Sequence, residues 1–290
     1  MYNMSKIKVV ECPRDAMQGI KSWIPSKDKV DYIQSLLSVG FDILDFGSFV
    51  SPRAIPQLKD TDYVIKNLDL SLTQTKLLCI VANLRGAKNA CEFSQIDFLG
   101  YPFSISENFQ MRNTNKTINQ SIDILRDIVN LSNKSNKEVV VYLSMGFGNP
   151  YGDPWNYDIV QKYIDLLFNM NIKNISLSDT IGAAKKEDIS HIYSKVISDY
   201  PDIEFGAHFH TKNDNWFEKI DSAFNAGCYK FDSAVQGFGG CPMAKDELTG
   251  NFPTEKLISY FNTKKIPLNI NSLQFEASYN IASKIFTIYK

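Results

Sequence analysis

The chain has 290 residues, 44% of them hydrophobic and 22% charged, which are the proportions of a folded globular protein and exclude a disordered or fibrous chain. Its 31 basic and 32 acidic side chains nearly cancel, so no net field would hold it to nucleic acid or an anionic membrane, and the expected partner is a small molecule. The length allows two ordinary domains or one α/β barrel, which runs to about 250 residues as a single unit.

Short apolar runs rich in β-branched and aromatic residues alternate with longer amphipathic stretches. In chain order the expected strands are IKVVEC, FDILDF, KLLCIVAN, QIDFLGY, EVVVYLSMG, NISLSDT, IEFGAHFH and YKFDSAVQ, eight in all. Helical periodicity places Val30, Ile33 and Leu37 on one face of 27–39, and Ile118, Ile122, Leu125, Ile128 and Val129 on one face of 114–134. The segments 156–170, 186–199 and 214–226 read the same way. Helices between nearly every pair of strands require parallel crossovers, and eight such units close most naturally into a (β/α)8 TIM barrel with a short C-terminal helical extension. A doubly wound open sheet is the competitor, but no strand is followed by the Gly-x-Gly-x-x-Gly turn that dinucleotide binding favours. No Pro/Gly-rich linker or internal repeat interrupts the pattern, so residues 1–290 are expected to form one catalytic domain.

Five cysteines at 12, 79, 91, 228 and 241 are odd in number and scattered, as expected of reduced thiols in a cytoplasmic protein. The N-terminus lacks an apolar signal-peptide core, and no apolar run is long enough to span a bilayer.

In a barrel, the carboxyl ends of the strands form the active site, and the distinctive polar residues fall there. His208 and His210, two of only three histidines, stand at i and i+2 on one strand and therefore point to the same face. Closing the barrel brings the seventh and eighth strands beside the first, so Asp15 can approach both imidazoles. Two neutral imidazoles and a carboxylate form a divalent-cation site with positions left for substrate oxygens. Arg14, always protonated, can stabilise an oxyanion, or it can form a rim salt bridge with Asp15.

The segments ECPRDAMQG, GSFVSPRAIPQ, SLSDTIG, AHFH, FDSAVQGFGGCPMA and TGNFPTE, spread over almost the whole chain, resemble the 3-hydroxy-3-methylglutaryl-CoA lyase family, within the pyruvate-carboxyltransferase-like metal-dependent barrels. The Gly-Gly-Cys-Pro loop followed by Gly-Asn is the most specific of them. The resemblance implies one divalent cation, Mg2+ or Mn2+, and cleavage of 3-hydroxy-3-methylglutaryl-CoA, an acyl-CoA substrate, to acetyl-CoA and acetoacetate. It implies Asn251 as a further metal ligand beside Asp15, His208 and His210, with Arg14 stabilising the enolate. It also implies Cys241 as the catalytic cysteine, Gln18 near the substrate and Lys21 near the CoA phosphates, and a homodimer serving leucine breakdown or ketone-body formation. Gly237, Gly239 and Gly240 also suit a phosphate-cradling turn in which the cysteine is incidental. Asp179 reads either as a catalytic or supporting carboxylate at a strand end or as a helix N-cap.

Two departures stand out. The family pattern has glycine where this chain has Ala16, and glutamate at the end of the second strand where this chain has Asp45. Asp45 occupies the catalytic position with one methylene fewer, a reach shorter by about 1 Å, to which active sites are sensitive. A related 3-hydroxyacyl-CoA is therefore an alternative substrate. Condensing transferases of the isopropylmalate or citramalate synthase kind share the barrel, but their long carboxyl-terminal extensions contrast with the about 55 residues after the eighth strand here. A non-catalytic scaffold would have no use for the whole constellation.

Overall fold

The computed structural model describes residues 6–212, 214–240 and 249–289. Eight parallel strands close into a barrel: β1 (Lys8–Glu11), β2 (Ile43–Ser48), β3 (Lys76–Ile80), β4 (Ile96–Ser104), β5 (Glu138–Ser144), β6 (Asn174–Asp179), β7 (Glu204–Phe209) and β8 (Lys230–Ser233). Each overlaps one of the eight apolar runs expected from the sequence. Closure is made by β8 against β1, with Val10 opposite Asp232 and Glu11 opposite Ser233.

Side-chain alternation along each strand separates two cores. Val10, Cys12, Ile43, Leu78, Ile80, Phe98, Val140 and Tyr142 form the inner cluster. Their neighbours, such as Val9, Leu44, Leu77, Leu99, Val141 and Leu177, join the larger cluster beneath the surrounding helices. Burying one such side chain stabilises by about 1.5–3 kcal/mol, so the outer shell supplies most of the driving force. The inner core is narrow: a Cβ at Gly100 would stand 2.6 Å from Ile80 Cδ1 and 3.2 Å from Tyr142 Cε2.

The expected helices are present as Ser26–Leu37, Ile118–Lys134, Tyr157–Asn169, Lys186–Asp199 and Trp216–Asn225. The crossover between β4 and β5 is split, because Asn115 turns into the left-handed region (φ 54°) and ends a separate helix, Glu107–Thr114. Thr117 and Gln120 then form a reciprocal cap that starts Ile118–Lys134. After β8 come Thr254–Thr263 and the C-terminal helix Ser272–Ile288. Phe286 of the latter meets Tyr32 edge-on and stacks on Phe238 at 4.2 Å, so the end of the chain packs on Ser26–Leu37 and on the segment after β8. Among the described residues no helix is long and apolar enough to cross a membrane.

Candidate active site

Beyond β1 the chain passes through Cys12 into a short helix, Pro13–Gln18. Pro13 pre-sets the backbone for its first turn, and that turn carries Arg14 and Asp15 into the mouth of the barrel. One strand beyond β8, β7 delivers His208, and His210 follows one residue past the strand. His210 forms an antiparallel bridge with Asn251, so the segment after β8 is tied to the end of β7. The result is a cavity of about 260 Å³ at the carboxyl ends of the strands, with Arg14, Asp15, Gln18, His208 and His210 among its walls.

Arg14 is the centre of a buried polar network. Its Nε donates to Asp45 Oδ2 at 2.9 Å and its Nη2 to the same oxygen at 2.6 Å. Its Nη1 donates to Gln18 Oε1 at 2.8 Å, and Gln18 in turn donates to Asp15 Oδ1. Burial pushes the Asp45 carboxyl up to about 6 even against the pull of Arg14. Burial also opposes ionisation of Asp15, but Arg14 and the two imidazoles outweigh it and hold Asp15 below the usual carboxylate range.

One ligand atom each from Asp15, His208 and His210 lie within 4.8 Å of one another. The His208 Nε2 to Asp15 Oδ2 distance is 3.8 Å. His210 is 3% exposed, and among the described residues neither of its ring nitrogens has a hydrogen-bond partner. A buried polar atom left so costs about 1–3 kcal/mol. Burial and the neighbouring His208 lower the pKa of His210 to about 4, so it is a neutral ring with a lone pair to give. These donors fit a divalent cation. Asn251 also belongs to this neighbourhood: it helps hold Asp15 below the usual carboxylate range, and its Nδ2 donates to the Phe238 carbonyl at 2.9 Å. Gly239 (φ 98°) lets the loop pass this close, since a Cβ there would meet Asn251 Nδ2 and the Asp15 carbonyl, each at 2.6 Å.

The structure thus brings together Arg14, Asp15, Gln18, Asp45, His208, His210 and Asn251. Asp179 is not among the cavity-lining residues. Its Oδ1 accepts from the Ala183 amide at 2.8 Å, and its Oδ2 takes Lys219 Nζ at 2.6 Å, both residues being fully buried. The Ala183 amide belongs to the loop before Lys186–Asp199, whose N-cap position is Lys185, and Lys219 also donates to the His210 carbonyl at 3.2 Å. Lys21 is exposed on the segment after Pro13–Gln18 and does not line the cavity. Cys241 lies outside the described residues.

Sequence reasoning missed Lys219, Tyr142 and Asp232. Tyr142 meets the His208 ring edge-on at 5.3 Å, and Asp232 Oδ2 lies 3.0 Å from His208 Nδ1. The available signal for Asp232 was a carboxylate inside the apolar run of the eighth strand, where a charge has to be paired.

Fold and site together define a class: a (β/α)8-barrel enzyme with a donor set for a divalent cation at its C-terminal rim. The chain belongs to the HMGL-like family, whose model matches residues 7–281. It is 32% identical to a hydroxymethylglutaryl-CoA lyase of Bacillus subtilis over 89% of this chain and 85% of that protein. It is also 29% identical to a Pseudomonas aeruginosa 3-hydroxy-3-isohexenylglutaryl-CoA/hydroxymethylglutaryl-CoA lyase, over 92% of this chain and 88% of that one. Among solved structures, an HMG-CoA lyase from Acinetobacter baumannii in complex with coenzyme A and 3-methylmalate superposes with a TM-score of 0.91. That match has 27% identity and covers 99% of this chain and 93% of the other.

Proposed function

We propose that this protein is a lyase that cleaves 3-hydroxy-3-methylglutaryl-CoA into acetyl-CoA and acetoacetate, with a divalent cation, Mg2+ or Mn2+, held by Asp15, His208, His210 and Asn251. The observation that carries the reading is the convergence of Asp15 and both imidazoles on one buried spot beside Arg14, in a chain of the HMGL-like family.

Breaking the C2–C3 bond of this substrate removes the C3 hydroxyl proton, turns C3 into the ketone of acetoacetate and leaves the bonding pair on a thioester enolate. That enolate then takes a proton at C2 to give acetyl-CoA. A bound cation would supply Lewis acidity towards substrate oxygens. Arg14 meets the negative charge that develops on the enolate oxygen, and it needs little reorganisation because Asp45 and Gln18 already hold its guanidinium in place. Asp45 keeps the fork aimed, and Gln18 couples Arg14 to Asp15. Ile80, Pro102 and Tyr142 form an apolar wall that keeps water from the enolate. The resemblance of its Gly-Gly-Cys-Pro loop assigns Cys241 to proton transfer at C2, and Lys21 to the CoA phosphates from outside the cavity. In this reading the protein works as a homodimer in the cytoplasm.

The test is incubation of purified protein with Mg2+ and 3-hydroxy-3-methylglutaryl-CoA, following acetoacetate. Stoichiometric acetoacetate and acetyl-CoA are expected. No product with this thioester, together with turnover of a 3-hydroxyacyl-CoA bearing a longer C3 branch, would move the assignment to that substrate. The shortened Asp45 side chain beside Arg14 and the isohexenyl substrate in the name of the Pseudomonas relative favour that second reading.

A further inference from the structure

We infer that Asp232 is a positioning residue for the metal-binding face of His208: it fixes which ring nitrogen carries the proton and so which one is left to bind a cation. The inference rests on the metal reading proposed above. His208 and Asp232 are register partners on the adjacent parallel strands β7 and β8, so both side chains project into the barrel at the same height. His208 Nδ1 lies 3.0 Å from Asp232 Oδ2, and Asp232 is 3% exposed. The same oxygen accepts from Ser176 Oγ at 3.4 Å on β6, which fixes the carboxylate from its other side. A carboxylate can only accept, so the proton of the neutral imidazole belongs on Nδ1 and the lone pair on Nε2. Nε2 is the nitrogen that faces Asp15, at 3.8 Å. The ring has little freedom to choose otherwise, since Tyr142 packs edge-on against it at 5.3 Å and His210 at 5.4 Å.

Asparagine at 232 keeps the volume but can turn an amide N–H towards Nδ1, which favours the proton on Nε2 and blocks the cation-facing lone pair. Asp232→Asn is therefore expected to weaken Mn2+ binding by about 10–100-fold, the usual effect of losing such a support, while the melting temperature of the metal-free protein stays close to that of the parent. Mn2+ affinity is read directly by electron paramagnetic resonance of the free ion. A second measurement needs no variant: with three histidines in the chain, 15N-histidine spectra of the Mg2+-loaded parent should show the His208 proton on Nδ1. Unchanged Mn2+ affinity in a folded Asp232→Asn protein, or a parent His208 whose Nδ1 lacks the proton, overturns the role. If Asp232→Asn does not fold, the parent spectrum decides. A parent that binds no Mn2+ strikes down the metal reading itself, whereas a parent that binds and a variant that binds equally strike down only Asp232.

Discussion

Arg14 is held from two sides, by two N–H bonds to Asp45 and by Gln18, before any substrate arrives. A guanidinium fixed in this way is a preorganised oxyanion partner, and removing one such donor typically lowers turnover by about 100–1000-fold, or about 3–4 kcal/mol. Arg14→Gln should show that loss in kcat, with Mn2+ affinity close to the parent because the imidazoles remain. Asp45, left without its cation, takes up a proton and stays buried. A variant with unchanged kcat and only a raised KM would remove the enolate role and leave Arg14 as a simple substrate anchor. At this scale the sequence was informative where chemistry is carried by rare residues, as with two histidines sharing a strand face. It was uninformative where the role depends on register: nothing in YKFDSAVQ says that Asp232 stands beside His208 rather than beside a lysine. The surroundings of Asp179 were illegible for a related reason, since its partner Lys219 lies 40 residues further on in a different helix.

At the scale of elements, the β8–β1 seam closes the barrel and contains a buried acid outside the cavity. Glu11 accepts from the Val235 amide at 2.9 Å and from the Thr254 hydroxyl at 2.5 Å, joining the end of β1 to the segment after β8. Burial pushes it up from the ordinary 4.5 to about 8, against those two hydrogen bonds. The folded chain therefore keeps a proton that the unfolded chain has already lost. The stabilising contribution is complete below pH about 4.5 and disappears as pH rises through about 8, by at most about 1.4 kcal/mol for each tenfold fall in proton concentration. Glu11→Gln mimics the protonated form and should cancel this term, so the stability of the parent relative to the variant should decline from pH 5 to pH 8 in urea unfolding. Parallel curves would show that Glu11 ionises normally in the fold. The strands that make this seam were legible because parallel barrel strands, covered on both faces, read as continuous apolar runs. Four helices were not, among them Glu107–Thr114, which buries only Phe109 and Gln110 and so shows no apolar stripe. Pro13–Gln18 and Thr61–Lys66 have six residues each, too few to display a period, and Leu84–Cys91 buries Gly86, Ala87 and Ala90, small residues that leave no apolar stripe.

For the whole molecule, the donors that converge on the candidate metal site come from opposite ends of the chain, Asp15 from just after β1 and His208 and His210 from β7 and its end, and the proposed fourth ligand, Asn251, comes from beyond β8. A ligand that binds them all binds only when the barrel is closed, so its binding energy adds to the stability of the fold. At a free cation concentration about 100 times the dissociation constant the gain is about 2.7 kcal/mol. For a chain of this size each kcal/mol raises the melting temperature by about 2–4 °C. Mn2+ or Mg2+ should therefore raise the melting temperature of chelator-treated protein by several degrees, in proportion to the logarithm of cation concentration once the site is saturated. The double variant His208→Ala, His210→Ala should lose this response. It also relieves the two unpaired buried nitrogens of His210, so its metal-free melting temperature should fall less than the truncation of two buried rings would otherwise cause. Ca2+, which prefers six to eight oxygen ligands, should produce a smaller shift than Mn2+ at equal concentration, because two of the donors are imidazoles. Calorimetry of the parent and the double variant over a Mn2+ series checks all of this at once. A thermal shift that survives loss of both histidines would place the cation somewhere other than the mouth of the barrel.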